Sequence, residues 1–218
     1  MRAPTRTWVT LLVIAACSAA NKDDDDDDDD VWVADTGASA WQSDPGGALD
    51  DDDSDVHRVL AAVNLSHGDF DKATYHQGRA LSLNPNDDLI VVQQGEILTW
   101  LGQPEEGIEW IRKAMRLNPY FPERFCGHLG RGFYMAQQYP EAAEAFKRIT
   151  APDHTHNSFL AAAYAQMDDE AAAKQYAEAV LKQDPAFTVS SYLATLHYNR
   201  ESDLDHHREG LLKAGLPA

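Results

Sequence analysis

Ala80-Leu81-Ser82-Leu83-Asn84-Pro85, Ala114-Met115-Arg116-Leu117-Asn118-Pro119 and Val180-Leu181-Lys182-Gln183-Asp184-Pro185 are one ending written three times. In each, an apolar-periodic run stops at Asn or Asp followed by proline, which donates no backbone hydrogen bond and disfavours helical geometry in the residue before it. With Pro152 the stops fall at 85, 119, 152 and 185, intervals of 34, 33 and 33 residues. A fixed period of that size marks stacked supersecondary units, each too small to bury its apolar face alone.

Working outward from these endings, each interval divides into two helical runs about a turn. Two closely packed helices need small residues where they cross and large apolar ones around the crossing. Leu60 and Ala61, the turn Gly68-Asp69, Phe70, Ala73 and Ala80 take these places first. Gly95, Leu98, the turn Gly102-Gln103-Pro104, Gly107, Ile111 and Ala114 follow. Leu129-Gly130, Phe133, Tyr139, Ala142 and Phe146 make the third set, and Leu160-Ala161, Tyr164, Ala173 and Val180 the fourth. Over residues 54–185 the pattern resembles the tetratricopeptide repeat. That resemblance implies an all-α fold, a right-handed α-solenoid of about four helix-turn-helix units at 54–87, 88–121, 122–153 and 154–187. Gln77 and Ala177 stand where the family has bulky apolar residues and Asn64 where it has an aromatic, and the third unit gains a residue early and loses some at its end.

Residues 186–218 read as C-terminal capping helices, because a solenoid needs its open end covered. Ser202-Asp203 can cap a last helix reaching about Ala214, with Gly215 and Pro217 as stops and Leu204, Leu211 and Leu212 on one side. Its His206-His207 pair is expected on a solvated face, since no further ligands stand at helical spacing.

Ahead of the repeats, Arg2 and Arg6 precede the apolar run from Trp8 to Ile14 and then Ala15-Ala16-Cys17. That order reads as a signal peptide over 1–17. Ile14-Ala15-Ala16-Cys17 resembles a bacterial lipobox, which implies lipid attachment at Cys17 and an envelope, periplasm-facing location; without it the chain is expected in the cytoplasm. Residues 18–53 carry eight consecutive aspartates, Asp23 to Asp30, and four more from Asp50 to Asp53. Like charges at that density cannot bury a core, so a disordered acidic tail is expected. Val31-Trp32-Val33-Ala34-Asp35-Thr36-Gly37-Ala38-Ser39 resembles the active-site loop of aspartic proteases. That chemistry needs two such aspartates sharing a proton, and Asp35 is expected to be an ordinary linker residue.

The whole chain sets 36 acidic residues against 18 basic ones, a formal net charge of −18, of which −12 lies in residues 1–55. Nucleic acid is excluded as a partner, because phosphate binding needs a basic footprint. Two cysteines, Cys17 and Cys126, form neither a disulfide framework nor a metal-ligand pair, and Cys126 is expected to be a small buried apolar residue. With no nucleophile-base pair, phosphate loop or metal cluster in 54–218, a non-catalytic chain without cofactor or metal is expected.

In such a solenoid the first helix of each unit lines the concave face. The repeat register puts Arg58, Val59, Gln93, Glu96, Trp100, Arg124, His128, Arg131, Tyr134, Met135, Phe159 and Gln166 there. Arg124, His128 and Arg131 would form a basic strip flanked by Trp100, Tyr134 and Phe159 as aromatic anchors, suiting an acidic or mixed peptide of a protein partner. The acidic tail could itself fold back on that strip. Positions that clamp a terminal carboxylate in chaperone-binding relatives hold Ala62, Val92 and Glu96 here, so that mode is not expected. Finally, the stretch from Leu98 to Tyr120 and the ending Glu209-Gly210-Leu211-Leu212-Lys213-Ala214-Gly215-Leu216-Pro217 resemble the C-terminal repeat region of bacterial class III adenylate/guanylate cyclases. This implies a stand-alone or truncated regulatory arm without the catalytic domain, and it conflicts with an envelope location.

Overall fold

The structure, a computed structural model, describes residues 52–218. The signal peptide, Cys17, the protease-like stretch around Asp35 and all but the last two residues of the acidic tail lie outside the described residues. Every regular element among the described residues is a helix: α1 Ser54–Ser66, α2 Phe70–Leu83, α3 Asp88–Trp100, α4 Pro104–Leu117, α5 Arg124–Met135, α6 Tyr139–Phe146, α7 His154–Gln166, α8 Glu170–Gln183, α9 Val189–Leu193 and α10 Glu201–Lys213. The expected all-α solenoid of four helix pairs is what forms.

Helix starts follow from short polar side chains that satisfy the orphan N–H groups of a first turn. The carboxylates of Asp53, Asp69, Asp87, Asp153 and Asp169 accept backbone hydrogen bonds at the starts of α1, α2, α3, α7 and α8. Starts at α4 and α6 instead carry Pro104 and Pro140 in the first turn, where a missing N–H loses nothing. Between the two helices of each pair one residue adopts a left-handed conformation: Gly68 (φ 74°), Gly102 (79°), Gln137 (59°) and Asp168 (58°). The same turn thus recurs in all four units, with glycine in the first two.

Each first helix packs on its pair mate, and the second helix of one unit packs on the first helix of the next. Close approach within the second unit depends on Gly95 and Gly107: a Cβ on Gly95 would stand 2.5 Å from the Gly107 carbonyl and 2.6 Å from Ile111. Ile90, Ile111, Phe125, Phe146 and Leu160 fill the core between units. Gln77 is fully buried where the family has an apolar residue, and its Nε2 donates to the Ile90 carbonyl at 2.7 Å across the boundary between units one and two. Cys126 is buried and free, as expected. The residues missing from the third unit shorten α6 to 8 residues. Beyond it, Glu123 accepts from the Thr150 backbone and hydroxyl at 3.0–3.1 Å, which holds the loop into α7.

The last helix begins at Glu201, one residue before the expected Ser202-Asp203 cap, with no side-chain cap bond at Arg200. It ends at Lys213, and just beyond its cap Gly215 takes a φ of 86° that only glycine adopts freely.

Candidate functional site

First helices meet in succession, α1 with α3, α3 with α5 and α5 with α7, and together make one wall. That wall is not open. After α8 the chain turns through Phe187 into α9, and residues 194–200 then run back along the wall as far as unit two. There the Asn199 backbone N–H donates to the Trp100 carbonyl at 3.1 Å. The Arg200 side chain lies against Gly102. From this far point α10 returns across α7, and the Lys213 ammonium reaches the Asp168 carboxylate at 2.7 Å. Leu196 and Tyr198 touch both apolar clusters of the fold, the small one around Ala61, Leu65, Ile97 and Trp100 and the large one of the later units.

Two sets of contacts seat this C-terminal segment. In the first, the Trp100 indole meets Tyr198 and His197 edge-on, with ring centroids 5.0 and 5.7 Å away, while the Arg131 guanidinium lies 5.6 Å from its centre. Beside it, the Glu96 carboxylate stands 3.3 Å from His128 Nδ1 and 3.4 Å from Arg131, and Arg131 contacts His128 at 2.8 Å. Burial works against the Glu96 charge, but the His128, Arg131 and His197 side chains outweigh it and hold the carboxyl down at about 2. Burial likewise pushes the His197 imidazole below its ordinary range, opposed only by Glu96.

In the second set, the fully buried His207 stacks on Phe159 with centroids 4.3 Å apart and bonds the Tyr198 hydroxyl through Nδ1 at 2.7 Å. Burial among aromatic rings, with His206 adding repulsion, pushes its pKa down to about 3. Tyr134 is fully buried against His206 and His207, and Gly210 packs so closely that a Cβ there would stand 2.5 Å from the Tyr134 hydroxyl and 3.1 Å from the Ala162 methyl. Burial drives the Tyr134 hydroxyl well above its ordinary pKa, so it stays protonated. Among the described residues the Trp100 indole N–H and His207 Nε2 are buried polar atoms without a partner. Such groups cost on the order of 1–3 kcal/mol each, and both lie at this seam.

The residues expected on the inner face therefore divide. Glu96, Trp100, His128 and Arg131 come together under His197 and Tyr198, and Tyr134, Phe159 and Gln166 come together under His206, His207 and Gly210. Arg58 and Gln93 sit apart, joined by a 2.9 Å bond from the Gln93 amide to the Arg58 carbonyl. Arg124 is exposed at the start of α5. The expected basic strip carries a carboxylate beside two of its three members. The expectation of a solvated His206-His207 pair is corrected for His207, because its ring faces Phe159 rather than water; His206 is half-buried and contacts the Tyr139 hydroxyl at 3.3 Å. What the sequence did not announce is the occupant: His197, Tyr198, His207 and Gly210. A glycine inside a helical run beside buried leucine is the usual sign of close packing, and Gly210-Leu211 carries that sign.

No helix among the described residues is long and apolar enough to cross a membrane, and none of their side chains group as three or more metal-ligating residues. The tetratricopeptide repeat family model matches residues 158–187, which cover most of α7, all of α8 and the following turn. Small glutamine-rich tetratricopeptide repeat-containing protein 2 of Mycosarcoma maydis is 26% identical over 101 residues, 45% of this chain. The match spans only 28% of that relative's length. Among solved structures, the type IV pilus biogenesis factor PilW superposes with a TM-score of 0.60 at 17% identity, covering 76% of each chain. PilF of Pseudomonas aeruginosa gives 0.55 at 19% identity, covering 76% of this chain and 78% of its own. MamA of Desulfovibrio magneticus gives 0.54 at 18%, covering 77% and 94%. The family model thus places a tetratricopeptide repeat on the fourth unit, and the chain folds as a solenoid of helix pairs like those solved structures.

Proposed function

We propose that the chain is a non-catalytic scaffold that binds a protein or peptide segment along the wall of first helices. The carrying observation is that this wall already holds a polypeptide segment, gripping it through Trp100, Tyr134 and Phe159. Glu96 beside Arg131 and His128 favours a segment of mixed charge over a purely acidic one. Arg124, exposed at the start of α5, is a cation available to an acidic residue. The test is a titration of the full chain with labelled amphipathic helical peptides of acidic, basic and mixed polar faces, repeated with Arg124→Ala and Arg131→Ala. Tighter binding of the mixed peptide, weakened several-fold in the double variant, supports the proposal; equal binding by both proteins removes these residues from the site.

Two finer features belong to the same proposal. Lipid attachment at Cys17 would hold the scaffold at the envelope, and PilW, a type IV pilus biogenesis factor, has a similar fold. Replacing Cys17 by Ser should move the chain from the membrane to the soluble fraction of cells. The alternative is a regulatory arm of a class III cyclase acting in trans, supported by the stretches 98–120 and 209–217. Within the second stretch Gly210, Leu211, Ala214 and Leu216 are buried, so packing alone accounts for much of it. Cyclic nucleotide output from a class III catalytic domain that stays constant as this chain is added would eliminate that role.

A further inference from the structure

We infer that Leu196–Lys213 is a displaceable, in-chain occupant of the groove, and that a partner's helical segment of similar chemistry takes its place. The inference rests on the scaffold proposal and names the partner class and the regulation of that site.

The recognition chemistry is visible in what the groove now holds. A ring pair, His197-Tyr198, meets the Trp100 edge ahead of a helix; one helix face then lays the His207 ring on Phe159 and, three residues later, a bare glycine under Tyr134. A ligand for this groove needs an aromatic ring before its helix, a flat ring on the first turns and a small residue one turn on. Removal of the segment breaks no helix pair, because α10 packs on α7 and α9 and forms no part of the pairing of α1 to α8.

The seam also explains how a competitor could win against a tethered segment, whose effective concentration is high. The Trp100 indole N–H is buried without an acceptor, and so is His207 Nε2. A partner that offers Trp100 an oxygen gains a bond that the resident segment does not make, and release returns His207 Nε2 to water. Specificity for the partner over the resident segment thus has a named atom.

The test uses the full chain carrying Gly210→Ala, whose added methyl meets the Tyr134 hydroxyl while every groove residue is kept. A second variant, Leu211→Ala, removes a fully buried anchor of the segment without altering the groove. The probe is a fluorescent peptide of residues 195–216 in the native sequence. At least tenfold tighter binding to each variant than to the native chain is expected. Amides of α10 should lose hydrogen-exchange protection in the variants while those of α3 and α4 keep theirs. Exchange of α10 only together with α3 and α4 in all three proteins, or equal peptide binding, would overturn displaceability and leave the scaffold proposal standing. Uptake of the native peptide with indifference to every foreign helical peptide would overturn the partner half and the scaffold proposal together.

Discussion

Gln137 is held at φ 59°, in the turn that joins α5 to α6, where Gly68 and Gly102 occupy the equivalent places in earlier units. A residue with a Cβ is strained there, and the Gln137 side chain is exposed. Gln137→Gly should raise stability by about 0.5–1 kcal/mol, read as a higher urea midpoint at unchanged slope. The opposite sign is expected at Gly95, where the neighbouring Gly107 backbone cannot yield: Gly95→Ala should lower stability by roughly 1–3 kcal/mol by overpacking. Single residues were legible in sequence where the repeat dictates their size, as at Gly95, Gly107 and Gly130. Gln77 was legible only as a departure, because the carbonyl to which its Nε2 donates belongs to another helix.

Among the elements, the helix pairs were written in the chain by their own local chemistry, namely proline stops, left-handed turns and carboxylate caps. Asp87 shows the strength of such a signal: it accepts from the Leu89 and Ile90 backbones at 2.9 and 3.2 Å, and Asp87→Ala should lower stability by about 1 kcal/mol in thermal or urea unfolding. The path of the C-terminal segment was not written locally. Its helix has ordinary spacing, and which surface it covers depends on rings 48 or more residues away in sequence, Trp100, Tyr134 and Phe159. The register assigned those aromatics to the first helices, yet period alone carries no information about what lies on them. Gly210 and the histidines were the available hints, and they gain meaning only against Tyr134 and Phe159.

For the molecule as a whole, acid should act through imidazoles that the fold keeps neutral. The folded pKa of His207 is pushed down to about 3, against about 6.5 when unfolded, so between these values the unfolded chain binds the proton that the folded chain refuses. Stability is therefore complete above pH 6.5 and falls as pH drops, by about 1.4 kcal/mol at pH 5.5 from His207 alone. Burial also depresses His76, His156, His197 and His206, which act in the same direction. The carboxyl of Glu96, itself lowered, withdraws its contribution only as pH falls below its unfolded value near 4.5. Urea unfolding at pH 7.5 and 5.5 checks this, and His207→Phe should reduce the difference between the two by about 1.4 kcal/mol; an unchanged difference would sink the assignment.

Because synthesis runs from the N-terminus, the ribosome delivers the aromatic wall before it delivers the segment that shields it. At about 5–20 residues per second the last two dozen residues take a second or more to emerge, and during that interval Trp100, Tyr134 and Phe159 face the cell uncovered. The nascent protein passes through a sticky stage on every round of translation, one that the finished protein conceals.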